Sequence, residues 1–370
     1  MNDFDFEKYL ASGVENIVKD IYKATLLNPK ATLFMKKYLT VCKKSNKKRM
    51  ELQKQGKHIP PFLIASVTTD CNLHCRGCYA RANHNCFDKN EDNTNPMLSS
   101  NRWNSIFDEA QDLGINFIIM VGGEPMLRQS VLKSAGAHQK ILFPVFTNGT
   151  LLQDESILLF NTYPNLFPVL SIEGNQETTD KRRGKGTYQT LQNGMKKLSK
   201  KAIPFGCSIT VTKDNLDDVM SESYIDELKD NGCKAIVYVE YVPVKKETID
   251  LAPDDQTREI MMERLKILRN KYSKLLFISF PGDEKASEGC LAAGRGFFHI
   301  NAFGNVEPCP FSAHSDTNLQ DHSILEALES PLFLKIKDSG AMSNEHIGGC
   351  VLFEQDELVS KLSEENINDN

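Results

Sequence analysis

From residue 60 to residue 242 the hydrophobic period of this chain switches repeatedly between two residues and about 3.6, a pattern that few folds accept. Strand-like runs rich in β-branched and aromatic residues are expected at 62–69, 115–121, 141–147, 166–172, 204–212 and 234–242. Amphipathic helical patterns stand between them at 99–113, from Asp154, at 187–201 and at 217–231, with a last one at 254–272. Six such β/α units predict a parallel sheet flanked by helices, either open or curled into a partial barrel. Ahead of them, residues 1–58 read as helical, with Tyr9, Leu10, Val14, Ile17, Val18 and Ile21 at helical spacing. The basic stretch from Lys43 to Arg49 reads as a solvated helix surface. The polar stretch 83–96 reads as a surface loop.

Bulk composition narrows the class of function. The 370 residues are 40% hydrophobic and 25% charged, ordinary values for a soluble globular chain with an ample core. A net charge of −5 gives no electrostatic case for nucleic acid or an anionic membrane. The longest apolar runs are too short to span a bilayer, and the acidic start lacks the features of a signal peptide, so a cytoplasmic location is expected.

In a reducing compartment, ten cysteines are read first as metal ligands wherever they cluster. Cys42, Cys207 and Cys233 lie in or beside apolar segments and read as small buried hydrophobes. Six others form two groups. The first, Cys71-Asn-Leu-His-Cys75-Arg-Gly-Cys78, follows the first strand directly and precedes Tyr79. Three thiolates on one loop suit three irons of a cubic iron–sulfur cluster and leave the fourth iron open. Zinc is the alternative, with His74, His84 or Cys86 completing four ligands. The second group is Cys290, Cys309 and Cys350.

At the end of the second strand stands Gly122-Gly123-Glu124-Pro125, where two glycines admit close backbone approach and a carboxylate sits at the carboxyl edge of the sheet. Taken with the CxxxCxxC loop, this GGEP turn resembles the radical S-adenosylmethionine (SAM) enzymes. The resemblance covers 60–242 and implies a partial (β/α)6 radical SAM barrel. It implies that Cys71, Cys75 and Cys78 hold a [4Fe–4S] cluster whose open iron binds SAM, and that reductive cleavage yields a 5′-deoxyadenosyl radical for hydrogen abstraction.

It further implies cofactor contacts at Tyr79, Gly122, Gly123, Glu124, Pro125, Asn148, Ser171, Glu173, Arg182, Ser208, Thr210 and Tyr238, with the GGEP turn meeting the SAM amino group. In the same family a guanidinium such as Arg182, in Asp180-Lys-Arg182-Arg183-Gly184, helps hold the SAM carboxylate. An electron donor such as flavodoxin or ferredoxin is the implied partner. Glu240 or Tyr241, ending the sixth strand, would serve as base or radical relay.

The C-terminal cysteines also carry a pattern: Cys290, thirteen residues, Gly304, four residues, Cys309. This resembles the opening of the SPASM and Twitch regions, which hold auxiliary [4Fe–4S] clusters, and Cys350 is the natural third ligand. Three cysteines allow one auxiliary cluster at most, its fourth ligand open to His346, His299, His314, a carboxylate or the substrate. A small hairpin around Phe303-Gly304 fits this region, followed by short helices at 322–329 and 331–338.

The expected organisation is a helical extension at 1–58, the core at 60–250, a connecting helix and strand at 251–279, the auxiliary region at 280–352 and a tail at 353–370, frayed from Ser363. The substrate, a peptide, protein or small molecule, is open. Two other classes are an iron–sulfur carrier or scaffold that does not cleave SAM, and a zinc-binding structural protein.

Overall fold

The computed structural model describes residues 17–23, 25–87, 96–244, 246–281, 289–343 and 350–364. Its strands are β1 (Phe62–Ser66), β2 (Phe117–Val121), β3 (Phe143–Thr147), β4 (Leu166–Ser171), β5 (Gly206–Val211), β6 (Ala235–Glu240), β7 (Leu276–Phe280), β8 (His299–Ile300) and β9 (Val306–Glu307). They form one sheet in the order β7-β6-β5-β4-β3-β2-β1-β8-β9. All neighbours are parallel except the antiparallel β8–β9 hairpin.

The expected six strands are present, each one to three residues shorter than its apolar run. β7, expected as a connector, pairs with β6 and becomes a seventh parallel strand. On the other side, β8 lies parallel to β1, so the C-terminal hairpin extends the same sheet.

Strand alternation separates two faces. Leu63, Ile118, Val145, Leu170, Cys207, Ile209, Ile236 and Tyr238 join the large core under the helices. That layer includes α3 (Ser100–Leu113), α4 (Gln129–Ala137), α5 (Asp154–Thr162), α7 (Thr187–Lys200), α9 (Glu222–Asp230) and α10 (Asp255–Lys271). The opposite, inner face carries Phe117, Phe167, Val169 and Ala235, which form a second cluster with Val18, Ile21, Phe34, Met35, Tyr38 and Cys42.

Those last four lie on α1 (Pro29–Gln53), where Phe34, Tyr38 and Cys42 recur every fourth residue and make a single apolar stripe. Asn28 caps this helix, its side chain accepting from the Ala31 N–H at 3.0 Å. The Tyr38 hydroxyl bonds Asn116 O, and Arg49 Nη1 donates to Gly114 O at 2.6 Å. Arg49 is therefore buried and bonded, unlike the solvated surface expected for its segment. Together these contacts seal the inner face at the amino ends of the strands.

A buried polar chain stitches the C-terminal hairpin to the barrel. His299 Nε2 lies 2.7 Å from Ser66 Oγ, its Nδ1 lies 2.7 Å from Glu307, and Asn301 Nδ2 donates to the other Glu307 oxygen at 2.6 Å. His299 is thus committed here rather than pointing at Cys290, Cys309 and Cys350 as a ligand. Further on, α11 (Ile324–Leu328) and α12 (Pro331–Asp338) match the expected short helices. The segment expected as a tail is helical from Val351 to Glu354 and from Asp356 to Glu364, because Val351, Leu352 and Val359 are buried. His346 and most of the segment from Ser363 onward lie outside the described residues.

Glu307→Leu would leave His299 and Asn301 each with an unpaired buried donor. The expected loss of stability is about 1–3 kcal/mol for each group, read from urea unfolding of the variant beside the wild type.

Candidate active site

The carboxyl edge of the sheet collects the sequence-expected residues, as α/β sites do. After β1 the chain runs through Thr68–Asp70 into the three-cysteine loop, and Cys78 then caps the short helix α2 (Tyr79–Ala82). The turn after β2 packs directly on this entrance. Gly123 N donates to Thr68 O at 2.8 Å, and Glu124 N to Asp70 O at 2.7 Å. A Cβ on Gly122 would lie 2.6 Å from Thr68 O, and one on Gly123 would lie 2.1 Å from Asp70 O. Neither distance is tolerable, so both glycines are required by the loop's own backbone.

Glu124 does not face outward as an ammonium partner. It is 1% exposed. One oxygen accepts from Met126 N at 3.0 Å and Thr147 Oγ1 at 2.8 Å, and the other from Asn148 N at 2.7 Å. The carboxylate therefore ties the end of β2 to the end of β3. Burial raises its pKa to about 7 against these three donors. Asn148 is likewise occupied: its Nδ2 donates to Asn72 Oδ1 at 2.8 Å, and its Oδ1 accepts from Thr150. Asn72 lies between Cys71 and Cys75, so β3 holds the cysteine loop from a second side.

A third side belongs to β4 and α6 (Gln176–Arg183). Glu173, 1% exposed, accepts from Arg182 Nη1 at 2.6 Å and Arg183 Nε at 2.8 Å, while its other oxygen accepts from Thr210 N at 3.0 Å. Arg183 Nη1 then reaches Cys75 Sγ at 3.9 Å. Arg182 Nε donates to Arg76 O at 3.2 Å, and Arg76 N returns a bond to Arg182 O at 2.8 Å. Arg182 thus latches the loop backbone. Arg183, the neighbour that sequence reasoning passed over, sets a positive charge beside a thiol. Its signal was present in the paired arginines of one helix end.

Around the loop the thiols differ. Cys86 hydrogen-bonds Cys71, which holds the Cys71 thiol down at about 6 and pushes that of Cys86 well up. Burial raises Cys75, opposed by Arg183 and Arg182. Among the described residues, no three His, Cys, Asp or Glu groups converge as the ligands of one metal ion would. Three thiols on one loop, with Arg183 beside Cys75, suit a four-iron cluster, which engages each cysteine at a different iron.

Ser171, Ser208 and Thr210 lie on the inner face by alternation, and Ser171 pairs directly across from Ser208. Tyr238 does not join them. It points into the helix layer, where its hydroxyl donates to Val219 O at 2.8 Å and its ring stacks on Phe277. Glu240 shares that outer face and accepts from Arg258 Nε at 2.6 Å, a buried ion pair rather than a base at the site. Tyr241 does reach the loop. Its ring lies where a Gly77 Cβ would fall, at 2.9 Å or less for the three nearest ring and hydroxyl atoms. Arg182 covers the same ring at 5.9 Å, and the hydroxyl lies 2.6 Å from Thr248 Oγ1.

In the second cysteine group two thiols meet. Cys309 hydrogen-bonds Cys350, and this contact, burial and the nearby Cys290 raise its thiol well above the ordinary range. His314, one of the residues considered as a further ligand, lies 2.8 Å from Asp356. The Tyr79 ring packs against Phe311 at 4.9 Å, between the two groups.

Two changes follow from this geometry. Between the ordinary carboxyl range near 4.5 and about 7, folded Glu124 holds a proton that the unfolded chain has lost, so its contribution to stability falls as pH rises. The difference between wild type and Glu124→Gln in urea unfolding is expected to change by about 3 kcal/mol across that window; a constant difference contradicts the assignment. Arg183→Met leaves the buried Glu173 with one guanidinium in place of two, and a loss of about 3 kcal/mol is expected in the same measurement.

The radical SAM superfamily model matches residues 65–225. The chain is 27% identical over 307 residues to an AdoMet-dependent heme synthase of Methanosarcina barkeri, covering 75% of this chain and 85% of that one. It is 26% identical over 260 residues to the sporulation killing factor maturation protein SkfB of Bacillus subtilis, covering 68% of this chain but 60% of SkfB. In fold it is similar to Streptococcus suis SuiB bound to precursor peptide SuiA, with a TM-score of 0.63 at 18% identity over 81% of this chain and 71% of that one. No helix among the described residues is long and apolar enough to cross a membrane. With its cysteine loop and glycine turn locked together at the carboxyl edge of such a barrel, this chain carries a radical SAM domain over residues 65–225.

Proposed function

We propose that this enzyme abstracts hydrogen from a substrate bound between its two cysteine groups. The observation that carries the reading is the three-sided clamp on the Cys71–Cys78 loop, by the glycine turn, Asn148 and the Glu173–arginine pairs. Cys71, Cys75 and Cys78 would hold a [4Fe–4S] cluster that, when bound, supplies the electron for cleaving SAM to methionine and a 5′-deoxyadenosyl radical. Arg183 offsets thiolate charge at Cys75, and Ser171, Ser208 and Thr210 offer polar groups on the inner wall for a nucleoside. Because Glu124 is saturated, an ammonium group would be met by backbone carbonyls of the turn. Tyr241 shields the loop from water at Gly77.

Cys290, Cys309 and Cys350 would hold one auxiliary cluster, supported by the nearness of Cys309 to Cys350 and Cys290 and by the β8–β9 hairpin that leads into Cys309. Substrate class divides along the relatives' names. A tetrapyrrole is suggested by the heme synthase, and a peptide by SkfB and by SuiB bound to its precursor peptide.

Anaerobic reconstitution with iron and sulfide, then dithionite and SAM, is expected to yield 5′-deoxyadenosine, and the Cys71/Cys75/Cys78 triple alanine variant none. No product from the wild type under any low-potential reductant would sink the enzyme reading. Iron is expected to fall from about eight to about four per chain when Cys290, Cys309 and Cys350 are replaced. An unchanged count would remove the auxiliary cluster. Adding iron coproporphyrin III tests the first class: a shifted Soret band favours a tetrapyrrole, and an unmoved one counts against it.

A further inference from the structure

We propose that the rings of Tyr79 and Phe311 form the path by which an electron crosses between the two cysteine groups, an inference that rests on reading both groups as cluster sites. The covalent ends of this path are short. Tyr79 is the residue after Cys78, with Cys78 itself in the N-cap position of α2. Phe311 is two residues after Cys309, and its backbone N–H donates to Cys309 Sγ at 3.2 Å.

Between these ends, the two ring centroids lie 4.9 Å apart with their planes at 56°, within the range of favourable aromatic contact. The contact is clamped from outside the rings. Asn83, the C-cap of α2, donates through Nδ2 to Pro310 O at 3.0 Å, joining the helix that carries Tyr79 to the segment that carries Phe311.

Electron transfer weakens steeply across empty space and far less through bonded or touching groups. Along this route a single through-space step, ring to ring, separates a ligand of one centre from a ligand of the other. The exchange is balanced: one centre loses one electron, the other gains it, and no bond breaks. The path would let one external reductant charge both centres, and would let an electron taken from the substrate at one return to the other.

The test uses the full-length protein, reconstituted anaerobically with iron and sulfide and given less than one photogenerated electron per chain. Freeze-quenched electron paramagnetic resonance then follows the two reduced signals. The Cys71/Cys75/Cys78 and Cys290/Cys309/Cys350 triple variants identify which signal belongs to which centre. In the wild type the ratio of signals is expected to relax to a constant value, and Tyr79→Phe, which keeps the ring, should relax alike.

Tyr79→Leu and Phe311→Leu should keep their iron and both signals yet lose this relaxation on the wild-type timescale. Relaxation at the wild-type rate in both leucine variants would overturn the path. A wild type that binds about four irons rather than about eight overturns the two-cluster reading instead, so the two failures are told apart by iron content alone.

Discussion

Everything at the active edge depends on a backbone contact with no room for a side chain. The Thr68–Asp70 segment, which launches the cysteine loop, lies against Gly122 and Gly123 so closely that any Cβ there would overlap a carbonyl oxygen. This fixes the ends of β1 and β2 relative to each other more firmly than their strand pairing alone. Glu124 then passes the constraint to β3 through Thr147 and Asn148, and Asn148 passes it back to the loop at Asn72. The result is a closed circuit of hydrogen bonds among three strand ends, with the thiols mounted on it. Such preorganisation matters where reactive radical chemistry must be aimed, because the protein's part is position and exclusion.

Charge supplies the second constraint. Glu173 is almost fully buried, and an unpaired carboxylate there would be costly, so two guanidiniums meet it. Each has a further task, Arg182 at the Arg76 carbonyl and Arg183 at Cys75. The same carboxylate also receives the Thr210 amide, so β4, β5, α6 and the cysteine loop share one electrostatic centre. Removing either arginine would disturb strand ends and thiol environment together.

The first six strands, the cysteine loop, the glycine turn and the C-terminal hairpin were legible in the sequence because each rests on local chemistry: period-two runs, ligand spacing, or a turn residue. What was not legible depended on tertiary context. α4, with sequence QSVLKSAGA, has few large apolar residues to show a period, and it packs through Gly136 against the Tyr163 ring instead. α6 is polar almost throughout and is held by its Asn175 cap and by Glu173. Tyr238 and Glu240 were assigned to the site from their place on β6, but alternation from Ile236 puts both on the outer face. The role of Glu124 as an internal tie was hidden for the same reason, since its three donors come from its own turn and from β3.

The two ends of the barrel are treated in opposite ways. At the amino ends of the strands, the apolar stripe of α1 fills the inner face, and the buried Arg49 and Tyr38 fasten it to the segment before β2. At the carboxyl ends, the inner face turns from apolar to hydroxyl-bearing at Ser66, Ser171, Ser208 and Thr210. A ligand therefore has its polar footing on one edge only, the edge that carries Cys71 to Cys78. β8 and β9 extend the sheet past β1, and the chain leaving β9 carries Cys309 and then Phe311, whose ring meets Tyr79 beside the first cysteine loop. The sheet thus brings a loop from its beginning and a hairpin from far along the chain to one wall. Nothing in the spacing of either cysteine group alone would require that meeting; the parallel pairing of β1 with β8 does.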